Sequence, residues 1–143
     1  MKVSDILRSK GSSVETLRLG QSIGSAMQIL MDKGIGAVVV CESSGEVVGI
    51  LSERDIVRVI TQKGPTAIGS PVSEVMTSKV ISCSPENTVK EVMNMMTQKR
   101  FRHMPVIDDG KLRGVISIGD VVKSQLTEKE LEINVMRDFI RAR

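Results

Sequence analysis

Gly49-Ile50-Leu51-Ser52-Glu53-Arg54-Asp55 returns as Gly114-Val115-Ile116-Ser117-Ile118-Gly119-Asp120, and that recurrence decides the fold. The Gly, Ser and Asp of the two stretches all stand 65 residues apart. An apolar run precedes each copy, and another follows at Ile56-Val57 and Val121-Val122. One shared position is within reach of chance, whereas three at one offset mark an internal duplication.

The duplication extends outward from this stretch. Residues 47–51 and 112–116 read as strands that enter it through hairpins at Ser43-Ser44-Gly45-Glu46 and Asp108-Asp109-Gly110-Lys111. Residues 34–40 and 101–107 read as the strands before the hairpins. A helix precedes each: one capped by Ser22, with Ile23, Ala26, Met27 and Leu30 on one face, the other opened by the capping box Thr88-Val89-Lys90-Glu91. Short strands at residues 14–17 and 80–83 and short leading helices at 3–7 and 72–76 complete the units. The offset is 69 at the leading helices and 66 at the first strands, so copy one carries three extra residues around Gly11-Ser12-Ser13.

The expected fold class is α/β (α+β), with two β-α-β-β-α units packed as an intramolecular pseudo-two-fold pair. The first unit spans residues 1–62, a Pro/Gly-rich linker 63–71, and the second unit 72–126. A C-terminal amphipathic helix over 127–143 opens at the capping box Thr127-Glu128-Lys129-Glu130. A unit of this size buries only about 60% of its unfolded surface. Two such units are expected to pack sheet against sheet, with two related clefts where they meet.

Composition narrows the function. The chain has 143 residues, 41% of them hydrophobic, so a folded domain is expected. A net charge of +3, no Trp, no Tyr and two Phe argue against nucleic acid, which wants a denser basic stripe and stacking aromatics. Residues 35–41 form the longest apolar stretch, far short of the roughly 18 needed for a membrane span. The first residues lack the apolar core of a signal peptide, so the cytoplasm is the expected compartment. Cys41 and Cys83 lie in apolar runs and read as buried thiols rather than a disulfide or metal pair.

The repeated stretch suits a ribonucleotide. Its Gly admits close approach of a backbone or ligand. Ser52 and Ser117 stand at helix N-termini, where amides and the helix dipole favour phosphate. Asp55 and Asp120 follow one helical turn later, and a carboxylate can accept both hydroxyls of a ribose. The same Ser-x-x-Asp spacing is also an ordinary N-cap. Duplication beside a cleft favours binding.

With Gly-x-x-Ser-x-x-Asp closing both units, the chain resembles a tandem pair of cystathionine β-synthase (CBS) domains, a Bateman module. The likeness covers residues 3–126. Arg102-His103-Met104-Pro105-Val106, followed by residues 114–120, resembles small stand-alone bacterial members. The resemblance implies a non-catalytic module that senses an adenine nucleotide and signals to a partner protein. AMP is the first candidate, with ADP, ATP and NAD as further ones and S-adenosylmethionine known in the family.

It also implies residue roles. Asp55 and Asp120 hold ribose hydroxyls, and Ser52 and Ser117 contact phosphate or ribose. Backbone around Val14 to Thr16 and Val80 to Ser82 meets adenine. Ile35-Gly36 and Phe101-Arg102 line base pockets, each serving the site whose Asp belongs to the other repeat. Ala37, Ile50, Arg54, Thr77, His103 and Val115 complete the nucleotide-binding set. The copies differ where phosphate would lie: Arg102-His103 faces Gly36-Ala37, and Arg54 faces Gly119. The sites are therefore inequivalent, and the Asp120 site is expected to bind more tightly.

One His, no clustered metal ligands, no Gly-x-Ser-x-Gly elbow and no Walker loop point away from an enzyme. Two rivals remain: a structural interaction module without a nucleotide, and a metal or redox stress protein using Cys41, Cys83 and His103. The tail helix is expected to help form a homodimer, and the regulated partner is unnamed.

Overall fold

The computed structural model describes residues 1–11 and 14–142. The elements run α1 (Val3–Lys10), β1 (Thr16–Arg18), α2 (Ile23–Lys33), β2 (Ala37–Cys41), β3 (Val47–Ser52), α3 (Glu53–Lys63), α4 (Val89–Lys99), β4 (His103–Asp108), β5 (Lys111–Ser117) and α5 (Ile118–Arg141). Two 3-10 turns, Pro65–Gly69 and Val72–Glu74, join the halves. The insertion expected around Gly11 falls on Ser12 and Ser13, outside the described residues.

In the first sheet β1 lies parallel to β2, and β2 antiparallel to β3. β2 is central and every one of its residues is buried. That explains its unbroken apolar run, since a strand covered on both faces needs no polar alternation. Asp109 and Gly110, at φ 51° and 73°, make the hairpin of the second half, the backbone that Asp-Gly supplies best.

The second half departs from the expected pattern. β4 pairs antiparallel with β5, but residues 80–83 form no strand, and only Cys83 bridges to Val106. Cys83 N–H donates to Pro105 O at 3.0 Å, and Ile107 N–H donates to Cys83 O at 2.8 Å. A parallel ladder would next need the N–H of residue 105. Pro105 has none, whereas its counterpart Val39 pairs with Thr16. The ladder therefore stops one step short.

The cores interleave the halves. Leu17, Ile23, Val38, Val40, Leu51 and Ile56 pack together with Val72 from the second repeat. Met96, Met104, Val106, Ile116 and Val121 pack with Val3 and Ile6 from the first. Each repeat thus sends its leading segment into the other's core. The 3-10 turn at Pro65–Gly69 also packs inward, burying Ala67 in the first core.

This exchange explains the repeated glycine. A Cβ on Gly114 would lie 2.6 Å from Leu7 Cδ2, and one on Gly49 would meet the Met76 side chain. The close approach expected at these positions is made by the exchanged segments. Gly114→Ala should cost about 1–2 kcal/mol through overpacking. Adding Leu7→Ala should make the pair less damaging than the sum of the single changes in urea unfolding. Strict additivity would show that the glycine serves another purpose.

The tail is not a separate helix. α5 runs unbroken past Thr127, which does not cap: its hydroxyl donates back to Lys123 O at 3.0 Å. No Gly or Pro interrupts residues 120–142, so the helix ladder simply continues. Val121 and Ser124 near its start are buried, while Leu131, Val135, Met136 and Ile140 are exposed.

Candidate functional site

Both Ser-x-x-Asp turns are complete capping boxes. Ser52 N–H donates to Asp55 Oδ2 at 2.9 Å, and Asp55 N–H donates to Ser52 Oγ at 3.3 Å. Ser117 N–H donates to Asp120 Oδ2 at 2.9 Å, and Asp120 N–H donates to Ser117 Oγ at 3.2 Å. The ordinary N-cap is therefore real in both copies. It does not exhaust the carboxylates, because an ionised carboxylate offers about four acceptor positions.

Each box stands at the edge of a cleft between the units. The Asp55 cleft holds about 490 Å³ and the Asp120 cleft about 510 Å³. Both sizes fall in the range of small-ligand sites. Gly36, Ile50, Ser52, Arg54, Asp55, Thr77, Phe101, Arg102 and His103 line the first. Val14, Ile35, Gly36, Ala37, His103, Val115, Ser117 and Asp120 line the second. Phe101-Arg102 lines the cleft of Asp55, and Ile35-Gly36 that of Asp120.

Thr16, Val80 and Ser82 line neither cleft. Thr16 lies within β1, paired with Val39. Between Val80 and Ser82 it is Ile81 that reaches the Asp55 cleft.

The sequence reading missed most of the cations. Arg58 pairs with Asp55 Oδ1, one helical turn along α3. Lys79, Lys99 and Arg100 also line the Asp55 cleft. In the other cleft Lys10 Nζ donates to Asp120 Oδ2 at 2.7 Å and to Val115 O at 2.8 Å. Arg58 was findable from its spacing to Asp55. Lys10 was not, because α1 reaches that cleft only through the exchange of leading segments. Burial of Asp120 raises its pKa, but the Lys10 ammonium and the Ser117 donors outweigh it and hold the carboxyl below its usual value.

Gly36 and His103 belong to both clefts and touch each other: a Cβ on Gly36 would lie 2.8 Å from His103 Nε2. The imidazole is thus a shared partition. Burial lowers its pKa from 6.5; Glu53 and Asp120 oppose this, while Lys10 and Arg102 add to it. The folded protein then binds this proton less readily than the unfolded chain. Its contribution to stability is full above pH 6.5 and falls as pH drops through the lowered folded value. The chain has one His, so the fall of stability as pH drops below 6.5 should be shallower in His103→Gln. An unchanged slope would place the titration elsewhere.

Cys41 and Cys83 are both buried free thiols. Desolvation pushes the Cys83 thiol up to about 12, far from a reactive thiolate. Among the described residues no group of three or more His, Cys, Asp or Glu is placed to hold a metal ion, and no helix is long and apolar enough to cross a membrane.

The family model for the CBS domain matches residues 3–62 and 72–127. The crystal structure of a CBS-domain-containing protein from Agrobacterium tumefaciens, 44% identical, superimposes with a TM-score of 0.83 over 87% of this chain and 92% of its own. The CBS domain pair of protein MJ0100, solved in complex with 5′-methylthioadenosine and S-adenosyl-L-methionine, is 26% identical with a TM-score of 0.78, covering 91% of this chain and 98% of its own. The mitochondrial CBS domain-containing protein CBSX3 of Arabidopsis thaliana is 33% identical over 147 residues, 97% of this chain and 71% of that one. Interleaved cores, twin capped carboxylates and crossed clefts thus stand in a chain that belongs to the CBS-domain family, with two CBS domains in tandem.

Proposed function

We propose that this CBS pair is a non-catalytic regulatory module that holds an adenine nucleotide between its repeats and signals its presence to a partner protein. The observation that carries this reading is the twin placement of a capped carboxylate at the rim of a cleft of nucleotide size. Asp55 and Asp120 receive ribose hydroxyls, and the helix N-termini behind them favour phosphate. Ile50, Ile81 and Phe101 offer an apolar wall to a base in one cleft, and Val14, Ile35 and Val115 in the other. The MJ0100 pair was solved with two adenosyl compounds, which supports the same ligand class here. AMP is the first candidate, then ADP, ATP and NAD.

Thermal unfolding with each compound tests the reading. A ligand at about 100 times its dissociation constant adds roughly 2.7 kcal/mol to stability. No shift with any adenine compound at millimolar concentration would leave the structural-module reading in its place.

The module is further proposed to pair with a second copy through α5. Leu131, Val135, Met136 and Ile140 lie exposed on its distal half, a concentration of large apolar side chains that a second copy would cover. Truncation after Leu126 should therefore lower the mass seen by light scattering to that of one chain. An unchanged mass down to low concentration would remove the tail from assembly.

A further inference from the structure

The two clefts differ sharply in charge. Arg54, Arg58, Lys79, Lys99, Arg100 and Arg102 line the Asp55 cleft, against Glu53 and Asp55. Of these cations only Arg58 has a salt-bridge partner among the described residues. The other five line the cleft as exposed side chains with no salt-bridge partner among the described residues. The Asp120 cleft holds Lys10 and Lys33 against Glu15 and Asp120. There each cation is matched: Lys10 with Asp120 at 2.7 Å and Lys33 with Glu15 at 3.4 Å.

Basic side chains on a surface are commonly just solvated, but backbone geometry argues against that here. α2 ends on Gly34 in the left-handed conformation, φ 61°. α4 ends at the equivalent position on Arg100, φ 58° and ψ 42°. Glycine takes this conformation without penalty, whereas an L-residue with a Cβ is disfavoured there. The second repeat keeps an arginine where the first keeps the easier residue, and that arginine lines the cationic cleft. Backbone held in a sparsely populated region is characteristic of functional sites.

We propose that the Asp55 cleft is built for adenine nucleotides bearing two or more phosphates, and the Asp120 cleft for adenosyl ligands without net negative charge. This rests on the adenine-nucleotide reading above and assigns the ligand class of each site. It reverses the order of affinity expected from the sequence, at least for phosphorylated ligands, because Arg102 stands beside Asp55. Five unpaired cations lower the energy of a polyphosphate at close range. The Asp120 cleft offers a phosphate only cations already neutralised by neighbours, so an uncharged adenosyl group loses least by entering it.

Calorimetry with ATP, AMP, adenosine and 5′-methylthioadenosine tests this on the full chain. Asp55→Asn and Asp120→Asn assign each binding phase to its cleft. At the Asp55 cleft affinity should rise in the order adenosine, AMP, ATP, and added salt should weaken ATP most, AMP less and adenosine hardly at all. Arg100→Gly combined with Arg102→Ala should lower ATP affinity by about tenfold or more and adenosine affinity by less than about twofold. Arg100→Gly alone should weaken ATP while leaving the melting temperature no lower, because it relieves the left-handed arginine. At the Asp120 cleft 5′-methylthioadenosine should bind at least as well as ATP. If adenine compounds bind but affinity ignores phosphate number, or the arginine variants weaken adenosine and ATP equally, the charge assignment falls and the nucleotide reading stands. If nothing binds either cleft, both fall together.

Discussion

Asp55→Ala lowers the affinity of its cleft for an adenine nucleotide by about tenfold or more, since a hydrogen bond to a charged group is worth roughly 1.5–3 kcal/mol. The same change also destabilises the protein by about 1 kcal/mol, because it removes half of a capping box. Asp55 accepts from Ser52 N–H at 2.9 Å and from Ser52 Oγ at 3.1 Å, and is only 7% exposed. Its partner Arg58 is 60% exposed at the side chain, so the ion pair itself adds little to stability. Cap and ligand contact are therefore mixed in the alanine variant and must be separated. Asp55→Asn separates them: its amide oxygen still accepts from Ser52 N–H, so stability is kept, while the charge offered to a ribose is lost. Calorimetry and urea unfolding on wild type, Ala and Asn give the comparison. Wild-type affinity in both variants, with stability lost in Ala alone, would make Asp55 a cap and nothing more.

Val3→Asp should produce the largest loss of stability, and its location is the informative part. Val3 is fully buried in the second core, with Val89, Val92 and Val121. An unpaired carboxylate there costs several kcal/mol, a large share of the 5–15 kcal/mol typical of a domain. Amide protection in hydrogen exchange should fall first across residues 83–121, although Val3 precedes the first repeat's strands in sequence. Val72→Asp should do the reverse, exposing residues 16–60, because Val72 lies in the first core. Val3→Ala, losing about 2 kcal/mol, keeps the comparison readable if the charged variants do not fold. First loss in residues 16–60 for a Val3 variant would contradict the exchange of leading segments.

What could be read from the chain was local. The caps at Ser22, Ser52, Thr88 and Ser117 depend on residues three apart, and all four accept the expected backbone N–H. The repeat placed Asp55 and Asp120 on equivalent helix starts, with Phe101-Arg102 lining the cleft of the first and Ile35-Gly36 that of the second. What failed depended on distant partners or on a single missing group. Pro105 ends the ladder of the second sheet through one absent N–H. Thr127 has the spacing of a cap, but a helix already running through it leaves no free amides to cap. Lys10 reaches Asp120 across 110 positions of sequence, and no local pattern announces that. Arg100 looks like an ordinary basic residue after a helix. Only its left-handed backbone and its place beside Asp55 give it meaning.

The unequal lengths of the two capped helices have a mechanical consequence. α3 has 11 residues and α5 has 24, yet both begin at the same Ser-Asp hinge beside a cleft. At 1.5 Å per residue they are levers of about 16 and 36 Å, so a tilt of about 10° at the base moves their far ends by about 3 and 6 Å. Past Ser124 no described residue of the long arm is buried within its own chain, and the N-terminal ammonium ties it to the globule at Glu128 Oε1, 3.3 Å away. A probe pair placed on β5 and near Arg141 would report the stroke, and an identical distance with and without ligand would show that the arm does not swing. If the arms do swing, two cavities built on one plan carry different gearing, a short throw on α3 and a long one on α5.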